Sequence, residues 1–182
     1  MSEPLSDCLI GQFEMAWKLA SYHLDGLTTD DCMWRPSHHG PHIRQMDDGT
    51  WVPDWPIQEA YAAGPPSIAW LGWHMLYWWS MAHDKNFGAG TLMREDVRWP
   101  DDAEGFRLHL QRLHGQWRER LGSLDDGDLR STQRARWPLR DQPLADLFAW
   151  ANVELTKNAA EIGYVMFLRG ASDLQTSSIS RP

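Results

Sequence analysis

Cysteine, basic charge and long apolar runs are all scarce in this chain, and each scarcity removes a class of function. Cys8 and Cys32 are the only cysteines. Two cannot make a disulfide framework, so a reducing, cytoplasmic setting is expected. Seventeen Lys and Arg stand against 25 Asp and Glu, a net charge of −8. Neutralising phosphates needs clustered cations, so no nucleic-acid partner is expected. The one local basic cluster, Arg134, Arg136 and Arg140, fits a solvated connection better than an anion site. No apolar run approaches the roughly 20 residues of a membrane span, and Met1 to Pro4 leads into a helix without a signal-like apolar stretch. A soluble protein with no membrane partner follows. Glycine-rich phosphate loops, nucleophile elbows, internal repeats and sustained apolar alternation are also missing.

What remains is helical periodicity. A chain of 182 residues can bury one good core. Leu9, Phe13, Ala16, Ala20, Leu24 and Leu27 form a first stripe, ended by Gly26. Ser67, Trp70, Leu71, Trp78 and Met81 share a face of a second helix, within 65–85. Phe106, Leu110, Leu113, Trp117 and Leu121 form a third stripe, capped by Asp101 or Asp102. The fourth helix, 143–170, buries Leu147, Ala151, Leu155, Ile162 and Val165, with Pro143 at its start and Gly170 as its C-cap. The pattern predicts an all-α fold: one antiparallel-type four-helix bundle with a long crossover over 1–170, followed by a flexible tail at 171–182. Twelve tryptophans imply an aromatic core, with some left over to line a pocket.

Four polar side chains interrupt or flank these stripes. Asn158 projects into the apolar sector of the fourth helix, Glu154 sits on its edge, and Glu161 lies further round. His74 shares the aromatic face of the second helix. Buried polar groups are costly unless satisfied, which predicts that His74, Glu154 and Asn158 converge. Glu154 and Asn158 are one turn apart, so they are neighbours on the helix surface. His74 and Glu154 could form an acid–base pair. The structural alternative is a core histidine, with Lys157 neutralising Glu154 or Glu161 and Asn158 hydrogen-bonding across the bundle.

The run Ser67-Ile68-Ala69-Trp70-Leu71-Gly72-Trp73-His74 resembles the second-helix signature of the DinB/YfiT-like proteins. Asn152-x-Glu154-Leu155-x-Lys157-Asn158-Ala159-Ala160-Glu161-Ile162-Gly163 looks like a variant of that family's fourth helix, and the resemblance covers most of Leu5 to Gly170. It implies a four-helix bundle holding a metal by one histidine at position 74 and two more where this chain has Glu154 and Asn158. It also implies thiol-dependent transfer, isomerisation or hydrolysis of a small-molecule substrate. His74, Glu154 and Asn158 are then the candidate ligands for a divalent ion (Zn, Ni or Mn), with His74 and Glu154 as the candidate catalytic pair. An amide oxygen and a carboxylate in place of two imidazoles favour harder ions, so partial or absent occupancy is expected. A metal-assisted enzyme and a non-catalytic small-molecule-binding or stress-associated bundle are thus the two function classes. A second copy of the chain is a further candidate partner.

Between helices 1 and 2, residues 36–64 lose periodicity and carry His38, His39 and His42 among prolines and tryptophans. Relative to the family this segment looks like an insertion, and it predicts a lid over the His74 end of the bundle. The three loop histidines are candidate replacement ligands, with an exposed polar turn as the simpler reading. His23, in the last turn of its helix, suits the helix dipole. His83 lies opposite His74, and His109 and His114 are five residues apart, a poor spacing for one metal.

Overall fold

Helix α1 (Leu5–Leu24) buries the stripe its sequence predicts, Leu9, Phe13, Ala16, Ala20 and Leu24, and Gly26 at φ +83° turns the chain out of it. The computed structural model describes residues 4–55 and 63–179, with side chains through Leu174. Helix α2 (Thr29–Met33) is a single turn fixed by a reciprocal cap between Thr28 and Asp31. Helix α3 (Ile68–Phe87) starts on Ser67, whose side chain accepts from Trp70 N–H, and helix α4 (Ala103–Gly122) starts on Asp102, whose carboxylate accepts from Gly105 N–H. Helix α5 (Asp126–Arg130) is short, and α6 (Leu144–Ile179) is the longest element.

Helices α1, α3, α4 and α6 form the four-helix bundle, with α1 and α3 at opposite corners and α4 and α6 between them. Cross-helix contacts give the directions. Gln12 meets Asn152 and His23 lies against Gly163, so α1 and α6 run parallel. Gly72 faces Phe106 while Arg120 reaches Phe87, so α3 and α4 are parallel too. His74 meets Asn158 and Trp79 meets Ala151, so α3 and α6 are antiparallel. The antiparallel-type arrangement expected from the sequence therefore holds between pairs and not within them.

Two further details differ from the sequence reading. Helix α6 passes through Gly170 to Ile179 where a C-cap and tail were expected. One interior glycine costs a helix only about 1 kcal/mol, and Ala171 to Leu174 are compatible with continuation. Residues 180–182 of the expected tail lie outside the described residues. The 36–64 segment holds an antiparallel hairpin, β1 (Ile43–Gln45) with β2 (Trp51–Pro53), in register Ile43↔Pro53 and Gln45↔Trp51. Gly49, at φ +83°, makes its turn. Ile43 is buried and anchors the hairpin to the core.

That hairpin rests on α3. Trp70 donates its indole N–H to Asp54 O at 2.7 Å, and Trp55 packs edge-on against Trp73 and Tyr77. Residues 56–62 of the expected lid lie outside the described residues.

Candidate functional site between helices α3 and α6

His74 is buried, 8 % exposed, on the face of α3 that meets α6. Trp78, one turn on, donates its indole N–H to His74 Nε2 at 2.7 Å. An indole nitrogen is a donor only, so Nε2 accepts and the ring is neutral with its proton on Nδ1. His74 Nδ1–H is thereby set to donate to Asn158 Oδ1, 3.2 Å away. Asn158, 1 % exposed, donates in turn from Nδ2 to the main-chain carbonyl of Glu154 at 2.7 Å. Trp78, His74, Asn158 and the Glu154 carbonyl thus form one directional chain of hydrogen bonds across the bundle.

Packing holds each member in place. Trp70 stacks on the His74 ring, centroids 4.9 Å apart at 15°. Trp78 stacks on Trp137 at 5.1 Å and meets Trp150 edge-on at 5.6 Å. Trp137 belongs to the connection before α6 and is fixed by Asn86, whose Nδ2 donates to the Trp137 carbonyl at 2.5 Å and whose Oδ1 accepts from Arg136 N–H at 2.7 Å. The sequence reading placed Trp78 and Trp70 on His74's face without assigning them a polar role. The signal available was the four-residue spacing of His74 and Trp78, which puts an indole one helical turn from the imidazole.

Of the three predicted residues, the structure joins His74 to Asn158 directly and brings Glu154 in through its backbone. The Glu154 carboxylate is 2.9 Å from Lys157 Nζ. The remaining histidines are spread through the molecule. His42 is buried, its Nδ1 2.7 Å from Ser67 Oγ, while His38 and His39 are exposed. His42 therefore pins the 36–64 segment to the start of α3, and the exposed-turn reading fails for it because burial of Ile43 draws it inward. His23 packs against Gly163, and His83 sits edge-on to Phe87 and Trp117. His114 is sandwiched between Phe13 and Trp17, centroids 4.9 and 4.2 Å away. Burial lowers the pKa of His42, His83, His109 and His114 below the ordinary histidine value. Burial pushes the Cys32 thiol up to about 12, with Asp31 adding to the shift and Arg169 opposing it.

A family model of the DinB superfamily matches residues 12–162. The chain belongs to the DinB superfamily. Neither a curated protein nor a solved structure matches it. The metal implied by the resemblance can be tested against the donors at its position. The Nε2 lone pair of His74 is taken by Trp78, Nδ1 carries the proton, and the Asn158 oxygen receives it. The Glu154 carboxylate pairs with Lys157. Among the described residues, no group of three or more His, Cys, Asp or Glu is placed to hold a metal ion. This donor set, so arranged, does not fit a divalent cation.

Apart from the polar chain, none of whose members lines it, the hairpin and the α3–α4 connection enclose a cleft of about 260 Å³. Trp73 is among its lining residues, fully buried, with its indole N–H donated to Val97 O at 2.8 Å. Trp55 forms a wall and lies under the Arg94 guanidinium, 4.8 Å from its ring centroid. Arg98 and Glu95 also line it, the Glu95 carboxyl being held below its usual pKa by a backbone hydrogen bond and then by Arg94. No helix among the described residues is long and apolar enough to cross a membrane.

Proposed function

We propose that this chain is a metal-free DinB-superfamily protein that binds a small molecule in the cleft between hairpin and bundle. One observation carries the reading: both ring nitrogens of His74 are committed to neighbours, Trp78 on one side and Asn158 on the other. A satisfied imidazole in a buried network serves as a structural pivot, and recognition passes to the aromatic cleft at the hairpin. That cleft would take a planar apolar molecule carrying an acidic group, since indole faces supply stacking and Arg98 supplies the counter-charge, Arg94 being paired with Glu95 at 2.6 Å. The hairpin acts as the lid of this site, with Trp55 as its contact to the ligand.

The test is two-part NMR on one sample. Long-range ¹H–¹⁵N spectra should show His74 as the Nδ1–H tautomer, unchanged on adding Zn²⁺, Ni²⁺ or Mn²⁺. Saturation transfer to a panel of aromatic carboxylates should give binders that Trp55→Ala removes. Stoichiometric metal binding that shifts the His74 nitrogens would overturn the reading in favour of a metal-assisted transferase or hydrolase acting with a thiol. Superfamily membership is what supports that second reading.

A further inference from the structure

Where α3 and α4 end, the connection before α6 passes against them and encloses a second pocket, of about 320 Å³. It shares no lining residue with the cleft at the hairpin. Arg120, Arg134 and Arg136 all line it, and none of its lining residues is acidic. The chain as a whole carries a net charge of −8, so this concentration of guanidinium groups runs against its average. Arg134 and Arg136 belong to one connection in the sequence. The fold brings Arg120, from the last turn of α4, to the same pocket, which periodicity alone does not show.

Charge balance in this pocket is incomplete. Arg134 is paired with Asp128 at 2.9 Å. Among the described residues, Arg120 and Arg136 make no ion pair. A concave wall with unbalanced charge of one sign focuses its field and concentrates ions of the other sign. Both unpaired cations are also positioned without spending their side-chain donors. Arg120 lies over the Phe87 ring, 5.1 Å from its centroid, a contact made by the face of the guanidinium that leaves its in-plane N–H groups open. Arg136 is fixed through its backbone. Its main-chain N–H donates to Asn86 Oδ1 at 2.7 Å, Asn86 Nδ2 donates on to the Trp137 carbonyl, and Ala135 is buried beside it. A backbone already ordered lowers the cost of binding.

We infer that this pocket is a second binding site, for a small organic phosphate monoester. A phosphate monoester carries about two negative charges at neutral pH, matching the two unpaired guanidinium groups. Its oxygens accept the paired N–H donors that arginine presents. Phe87 and Leu124 add an apolar wall for the organic part, and the volume is that of a small-molecule site. A single carboxylate would leave one guanidinium without a counter-charge.

An NMR titration of the full chain with phenyl phosphate, followed at the arginine Nε–H resonances, tests this. The signals of Arg120 and Arg136 should move together, with a dissociation constant of about 1 mM or tighter at low salt. Arg136→Gln should weaken the binding read at Arg120 at least tenfold, and Arg120→Gln the binding read at Arg136, with helical circular dichroism unchanged. Arg136 is exposed, so its variant keeps the test open even where loss of Arg120 from Phe87 disturbs the fold. Arg140→Gln removes the same charge from an exposed residue of the same connection outside the pocket, and should leave the affinity as it was. Shifts confined to Arg98 in the other cleft overturn the inference, as does binding that Arg136→Gln leaves intact or that Arg140→Gln weakens equally. Inorganic phosphate that binds here as tightly as phenyl phosphate overturns the ester in favour of the free ion.

Discussion

Trp78 and His74 are locked to each other one helical turn apart, the indole N–H lying 2.7 Å from the imidazole Nε2. The bond decides which nitrogen carries the proton, and with it the direction of every later link to Asn158 and Glu154. Trp78→Phe keeps a ring between Trp137 and Trp150 but deletes the donor. A buried acceptor left bare costs about 1–3 kcal/mol, so denaturant unfolding should shift by that much. A loss below roughly 0.5 kcal/mol, no larger than that of an ordinary surface substitution, would show that the bond is incidental.

The same chain of bonds explains how a histidine site could be rebuilt. Glu154→His with Asn158→His restores imidazoles one turn apart on α6, facing the antiparallel helix that carries His74. We expect this double variant, further freed by Trp78→Phe, to bind about one Zn²⁺ per chain by elemental analysis. Adding His74→Ala should abolish that binding. Equal metal content with and without His74 would mean that the three positions do not share a point.

Two glycines in neighbouring helices should respond oppositely to the same methyl group. A Cβ on Gly72 would lie 2.6 Å from Trp99 and 3.0 Å from Phe106, so Gly72→Ala should cost about 1–3 kcal/mol by overpacking. Gly115, in α4, has no such neighbour within 4 Å, so Gly115→Ala should gain about 0.5–1 kcal/mol from helix propensity. Thermal unfolding of both variants checks the pair, and a stabilised Gly72→Ala would show that α3 and α4 are less tightly packed there.

Much of this was legible in the residues. The stripe Leu9 to Leu24 is buried as read, because a 3.6-residue period leaves one face for the core. The meeting of His74 with Asn158 followed from the cost of burying each alone. What periodicity cannot supply is orientation: it put Trp78 beside His74 but could not say that an N–H, and not a ring face, would point at it. Gly170 read as a stop because glycine often caps helices, yet a cap also needs a left-handed backbone, and the residues after 170 continue the helix. The hairpin went unread because its strands are three residues each, with only Ile43 of β1 buried.

Acid sensitivity should begin early for a protein this acidic. His42, His83, His109 and His114 all have folded pKa values lowered by burial from the usual 6.5. The unfolded chain therefore takes up these protons first as pH falls. Stability from keeping them neutral is full above pH 6.5 and declines as pH drops below it. Carboxylates titrate nearer 4 and act later. The melting temperature should fall between pH 7.5 and 5.5, and a flat or rising profile across that window would contradict the burial of these rings.

The aromatic packing around the site has an optical consequence. Trp70, Trp73, Trp78, Trp137 and Trp150 form a chain of rings, each within about 6.5 Å of its neighbour or of the imidazole between them. Indoles this close share their excited states, so the group behaves as one coupled chromophore held in a fixed chiral geometry. Its near-ultraviolet dichroism should be intense and should change shape whenever a ring turns. Any event that moves the hairpin, through Trp55 on Trp73 or the Asp54 carbonyl on Trp70, is thus written into the protein's own absorption without a label.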